Sequence, residues 1–261
     1  MKRTPIIVAP DEFPQEYHTL LQGAPVYDSS CSPAAKVYFI DRDGGYYLKR
    51  SSKDSLCTEA RLTEYFHEKG FATEVLSYLS NEQDWFLTRR VAGEDCTHSV
   101  YLDDPKRLCE TTATLLRQLH ETDFSNCPVD DRISTYCKTA EANHRKGLYD
   151  PSLFPEGWGF KNAEEAWAIV EQNRKYLKSD TLLHGDYCLP NVVLDDWKFS
   201  GFIDLGNGGV GDRHIDLFWG AWTLFYNLKT DAYCDRFLDA YGRDKIEEEM
   251  LRAIAAFEVF G

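Results

Sequence analysis

Residues 181–216 read TLLHGDYCLPNVVLDDWKFSGFIDLGNGGVGDRHID and constrain the chain more than any other stretch. A short apolar run ends at His184-Gly185-Asp186, and Asn191 follows Asp186 five residues on. Asn191–Leu194 reads as a strand, Asp195-Asp196 as its turn, and Phe199–Ile203 as a second strand ending at Asp204. The segment is therefore a β-hairpin with one carboxylate before it and another after it. Taken singly, Asp and Asn beside a strand usually form turns. Set at this mutual spacing, they make a far more specific pattern.

Phosphoryl transfer from a nucleotide asks little covalent help from a protein. It needs a carboxylate to orient the acceptor hydroxyl, and hard oxygen ligands to hold Mg²⁺ on the phosphates. Protein kinases place a catalytic Asp, an Asn five residues later, and a metal-binding Asp-x-Gly beyond a hairpin. Asp186, Asn191 and Asp204-Leu205-Gly206 reproduce that order, with Gly185 where a protein kinase has Arg. HGDYCLPN, GFIDLGNGGVGDRHID and, upstream, LLRQLHETDFSNCP resemble the aminoglycoside phosphotransferase family, in particular its 3′-phosphotransferase (kanamycin kinase) branch. The resemblance runs from about Ser32 to the end of the sequence.

The resemblance implies an α+β, bilobal, protein-kinase-like fold with a small antiparallel β-sheet N-lobe and a mostly helical C-lobe. The expected division is a nucleotide-binding lobe over 1–89, a hinge over 90–94, and a catalytic and substrate-binding lobe over 95–261. Local patterns agree with it. Lys36–Ile40 and Tyr46–Arg50 are β-rich runs around Asp43-Gly44-Gly45, a hairpin signature. Leu56–Glu68 has helical spacing, and Val75–Leu79 with Trp85–Thr88 reads as a further strand pair. Helices are expected near Pro14–Gln22 and over Pro105–His120, Ser134–Lys146, Asn162–Leu177, Asp212–Leu228, Asp231–Tyr241 and Asp244–Phe260. Residues 1–31 otherwise carry little signal.

Composition excludes several classes. A chain of 261 residues with 43% hydrophobic and 14% aromatic residues can fill the core of a two-lobed unit. It has no run of 18 apolar residues and no recognisable leader, so no membrane span is expected. The eight cysteines are scattered without C-x-x-C spacing, which points to reduced thiols in a cytoplasmic protein. Cys188 lies within the catalytic stretch, but nothing beside it marks a nucleophile. The formal charge of −14 disfavours nucleic acid and suits a cationic small molecule.

Carried over residue by residue, the resemblance assigns Asp186 as the catalytic group and Asn191 and Asp204 as Mg²⁺ ligands. His184 braces the loop. Lys49, positioned by Glu59, would steady the phosphates of ATP (or GTP), with Tyr47 stacking on the purine and the backbone of Arg89 and Val91 meeting its edge. Ser32 stands in a small-residue corner, Ser30–Ala35, that lets backbone N–H groups approach phosphate oxygens. On the acceptor side it implies carboxylates around a cationic aminoglycoside: Glu156, Asp186 and Glu258, with Phe260 near the terminus. Asp216 lies at the start of the helix that follows. The chain departs from the family pattern at Asn207, where Arg is usual, at Tyr226-Asn227, where an acidic pair often sits, and at Gly261, which extends the end by one residue. Trp219, Trp222, Phe225 and Tyr226 either fill the core or shape the acceptor pocket. The activity implied is O-phosphorylation of a kanamycin-like aminoglycoside, at the 3′-hydroxyl, giving antibiotic resistance. Two other readings stay open: a small-molecule kinase of the same fold acting on a different amino-alcohol or sugar, and an idle nucleotide-binding protein that works by interaction.

Overall fold

Alternating apolar residues in the first third of the chain fold as antiparallel strands, and the computed structural model describes residues 3–153 and 160–261. Strand β1 is Thr4–Ile6, followed by a short helix α1, His18–Leu21. Then come β2 (Val26–Asp28), β3 (Lys36–Ile40), β4 (Tyr46–Ser52), helix α2 (Cys57–Glu68), β5 (Val75–Ser80), β6 (Gln83–Arg89) and β7 (Glu94–Asp95). The main sheet has the order β1-β2-β3-β4-β6-β5, with every neighbouring pair antiparallel. Asp43, Gly44 and Gly45 all have positive φ (48°, 91° and 103°), which is what lets β3 reverse into β4 so tightly.

The two faces of this sheet do different things. Tyr38, Ile40, Leu48, Trp85 and Leu87 form one apolar layer with Phe13, Tyr17 and Leu21 from the N-terminal segment. Phe86, pointing the other way, packs with Leu56 and Ala60 at the start of α2. Period-two alternation along β4 therefore buries Leu48 and leaves Tyr47 and Lys49 on the α2 side.

The second part of the chain is mainly helical. Helices α3 (Ser99–Leu102), α4 (Pro105–His120), α5 (Arg132–Arg145) and α6 (Ala163–Asn173) precede β8 (Thr181–Leu183). Asp104, Asp131 and Asn162 cap α4, α5 and α6 by accepting N–H bonds from Arg107, Ser134 and Glu165. The hairpin is β9 (Val192–Asp195) and β10 (Lys198–Phe202), turning at Asp196 and Trp197 with φ of 48° and 65°. After it come β11 (Gly209–Gly211), which pairs with β8, and helices α7 (His214–Leu228), α8 (Cys234–Tyr241) and α9 (Glu248–Glu258).

The chain divides into two compact units, Met1–Asp95 with Val192–Gly206, and Cys96–Asn191 with Asn207–Gly261. The first break falls at Asp95, beside the expected 90–94 segment, and Val192–Gly206 returns to the first unit. Strand β9 pairs with β7 through Glu94↔Leu194 and Asp95↔Val193, and the Phe202 N–H donates to the Phe71 carbonyl at 2.7 Å. Those backbone bonds attach the hairpin, and Asp204 with it, to the first unit. Strands β1 and β2, which the sequence reading missed, extend the same sheet. No helix among the described residues is long and apolar enough to cross a membrane.

Candidate active site

In the first unit, Lys49 Nζ lies 2.5 Å from Glu59 Oε1 and also pairs with Asp204. Glu59 is buried on the first turn of α2, a helix that packs on β5. Asp204 follows the end of β10 and adopts φ of 59°, a left-handed conformation that Asp tolerates better than most residues. Burial works to lower the Lys49 pKa, but the charges of Asp204 and Glu59 outweigh it and hold the ammonium above its ordinary value. Burial also raises the Glu59 carboxyl, against the pull of Lys49. The outcome is a fixed cation set between two acids.

Tyr47, Lys49, Glu59, Arg89, Val91 and Asp204 line one cavity of this unit, together with Ser29, Cys31, Val37 and Phe86. An ammonium on the wall of a slot that also carries Tyr47, Val37, Phe86 and Val91 can meet phosphate oxygens while those residues take a flat ring. Ser32 is not among the lining residues. Its hydroxyl accepts the Ala34 N–H at 3.1 Å in a local turn, and Ser29 and Cys31 stand at the wall in its place. The corner is held by Asp28, which accepts the Ser30 N–H at 2.9 Å and pairs with Lys36. The hydrogen bond from Lys36 lowers the Asp28 carboxyl to about 2.

In the second unit, the loop after β8 is fixed from below by Asp216. This fully buried carboxylate accepts the backbone N–H groups of His184 and Gly185, each at 2.8 Å, and lies 3.1 Å from His120 Nε2. Burial keeps His120 below its ordinary pKa, so a neutral ring donates to Asp216 and accepts from the Tyr241 hydroxyl at 2.8 Å. Asp216, which opens α7, is therefore consumed in bracing the loop. Gly185 has φ of 83°, and a Cβ there would run into the Asn207 carbonyl, which is why Gly stands where protein kinases carry Arg. His184, fully buried, accepts the Asp186 N–H at 3.3 Å through Nδ1.

The Asn191 amide donates to both the Asp186 carbonyl and Asp186 Oδ2, each at 2.9 Å. Both its N–H bonds are thus directed at Asp186, which fixes that carboxylate and turns the Asn191 oxygen elsewhere. Burial raises the Cys188 thiol far above its ordinary range, so it is no nucleophile.

Asp186 opens onto a cavity of about 510 Å³ in this unit, lined also by Arg132, Tyr136, Asn207, Trp219, Phe257, Glu258 and Gly261. Glu258 Oε1 accepts the Tyr136 hydroxyl at 2.8 Å, and the Trp219 indole bonds the same carboxyl. Burial pushes the Glu258 pKa up to about 7. Phe260 is not at this wall: its ring packs on His144 and Trp167, each 5.4 Å away between centroids. Glu156 lies outside the described residues. Trp219 is a wall residue, whereas Trp222 stacks on the exposed Tyr226 at 5.0 Å, and the Asn227 amide donates to the Thr223 carbonyl at 2.8 Å. Arg132 and Tyr136 went unnoticed in the sequence, where nothing separates them from ordinary helix residues.

The model of the phosphotransferase enzyme family matches residues 31–256. A probable aminoglycoside 3′-phosphotransferase of Lactococcus lactis subsp. lactis (strain IL1403) is 49% identical over 253 residues, covering 96% of each chain. Among solved structures, an aminoglycoside-3′-phosphotransferase of type VIII superimposes with TM-score 0.76 at 25% identity, covering 96% of both chains. The aminoglycoside phosphotransferase of Streptomyces rimosus, solved with ADP and streptomycin, has TM-score 0.71 at 23% identity, over 86% of this chain and 90% of its own. The chain belongs to the phosphotransferase enzyme family and is an enzyme of that kinase-like fold.

Proposed function

We propose that this family member transfers the γ-phosphoryl group of ATP (or GTP) to a hydroxyl, the 3′, of a kanamycin-like aminoglycoside, and that it does so in the cytoplasm, conferring resistance. The observation that carries the reading is Asp186: its carboxylate is gripped by Asn191, its loop is braced by Asp216, and it stands on the wall of a cavity that also holds Glu258. Eight cysteines carried as free thiols fit a reducing compartment.

In this reading Asp186 accepts the proton of the acceptor hydroxyl as its oxygen bonds to the γ-phosphorus, and the bond to the β-phosphate oxygen breaks to release the diphosphate. Lys49, held by Glu59, steadies the donor phosphates, while Tyr47 and Val91 enclose the base. Glu258 receives an acceptor ammonium. Asp204 and Asn191 are proposed as the Mg²⁺ ligands. Both offer hard oxygen, and with its two N–H bonds directed at Asp186 the Asn191 amide presents its oxygen elsewhere. Such a sparse donor set suits an ion that completes its shell with phosphate and water. Bound Mg²⁺ would neutralise charge on the phosphate oxygens.

Diphosphate release with and without a panel of aminoglycosides tests the assignment. Stimulation by kanamycin-like members supports it. Basal hydrolysis with no stimulation by any member would assign the cavity to another acceptor.

A further inference from the structure

We propose that Arg132 sets how many ammonium groups the acceptor cavity takes, by standing as a fixed cation on the same wall as Asp186 and Glu258. The inference rests on the reading of that cavity as the acceptor site. Arg132 is the first residue of α5, where the helix dipole disfavours a positive charge, so helix stability gives no reason for it. Its guanidinium donates to the neutral Asn207 amide oxygen at 3.0 Å. Glu258, meanwhile, takes hydrogen bonds from Tyr136 of α5 and Trp219 of α7. The guanidinium is thus hydrogen-bonded to a neutral partner and acts on Glu258 only through space, so its charge, kept at any ordinary pH, is felt in the cavity.

Two acids and one cation make an uncommon wall for a polycation. An acceptor with a single ammonium can place it at Glu258 and meet Arg132 and Asn207 with hydroxyl oxygens. An acceptor with several must bring one toward Arg132 and suffer repulsion in a partly water-excluded site. The cavity so built favours amine-poor, hydroxyl-rich aminoglycosides over amine-rich ones. Nothing in the sequence pattern foreshadows this, since position 132 carries no motif.

Binding is read by fluorescence, with Trp219 on the cavity wall as reporter, and by diphosphate release in parallel. The probes are glucosamine, which carries a single ammonium, and kanamycin, which carries several. Arg132→Gln is expected to tighten kanamycin about tenfold and glucosamine far less. Arg132→Lys should keep the wild-type ratio. Asn207→Asp, which gives the guanidinium a charged partner, should shift the ratio in the same direction as Arg132→Gln, and it serves if that variant fails to fold. An unchanged ratio in both Arg132→Gln and Asn207→Asp, or Arg132→Lys behaving as Arg132→Gln, overturns the proposal. If the ratio shifts while wild type phosphorylates no aminoglycoside, the proposed reaction fails and the role of Arg132 stands.

Discussion

Glu258 sits among Tyr136, Trp219 and Phe257, and that wall decides when its carboxyl ionises. With its pKa raised to about 7 by burial, the native chain holds a proton there over a range in which the unfolded chain has released it. The stabilising contribution is complete below the ordinary carboxylate pKa and is lost as pH rises through about 7. Denaturant titration should show wild type losing on the order of 3 kcal/mol relative to Glu258→Gln between about pH 4 and about pH 8. A pH-independent difference would refute the assignment. Asp186→Ala is expected to abolish transfer while nucleotide affinity stays within a few-fold, checked by single-turnover kinetics beside nucleotide titration. At this scale the sequence was informative where spacing carried meaning. Lys49, Glu59 and Asp204 meet because a strand's alternation and a helix's first turn fix where their side chains go. Ser32 lies off the cavity wall, since which residues of a turn face a cavity depends on its local hydrogen bonds. The Phe260 ring goes to His144 and Trp167, a packing choice that spacing alone does not reveal.

Among the elements, the loop after β8 depends on two residues whose removal should act differently. Asp216→Ala would leave the His184 and Gly185 N–H groups and the His120 ring without their buried acceptor. Each lost charge-assisted bond is worth roughly 1.5–3 kcal/mol, so the variant should fall by at least about 3 kcal/mol in stability and lose most of its turnover. Gly185→Ala meets both a positive φ and the Asn207 carbonyl, and should cost about 1–3 kcal/mol or displace the loop. A thermal melt separates the two, and turnover at full fold in either variant would show the brace to be dispensable. Helices such as α4 were legible almost to the residue, because Asp104-Pro105 starts it and its apolar stripe is regular. Strands β1, β2 and β11 were not, at three residues each, because so short a run has no period to read.

For the whole chain, charge and chain order matter most. A formal charge of −14 should draw a polycationic acceptor and be screened by salt. The acceptor KM should rise several-fold between about 0.05 M and about 0.5 M salt, with a smaller change for a singly charged acceptor. Equal changes for both would leave the acidic surface without a steering role. The broad α+β class followed from strands crowding the first third and helices the rest, but the division into units did not. A discontinuous unit arises from backbone pairing between β7 and β9, segments nearly a hundred residues apart in sequence, and such pairing leaves no local trace. The proposed reaction is a single group transfer, so the decisive measurement is the product. After incubation of the enzyme with ATP, Mg²⁺ and kanamycin, mass and NMR spectra should show one added phosphoryl group on the 3′-oxygen, absent with Asp186→Ala. Recovery of unmodified kanamycin from folded, nucleotide-binding enzyme would rule that transfer out.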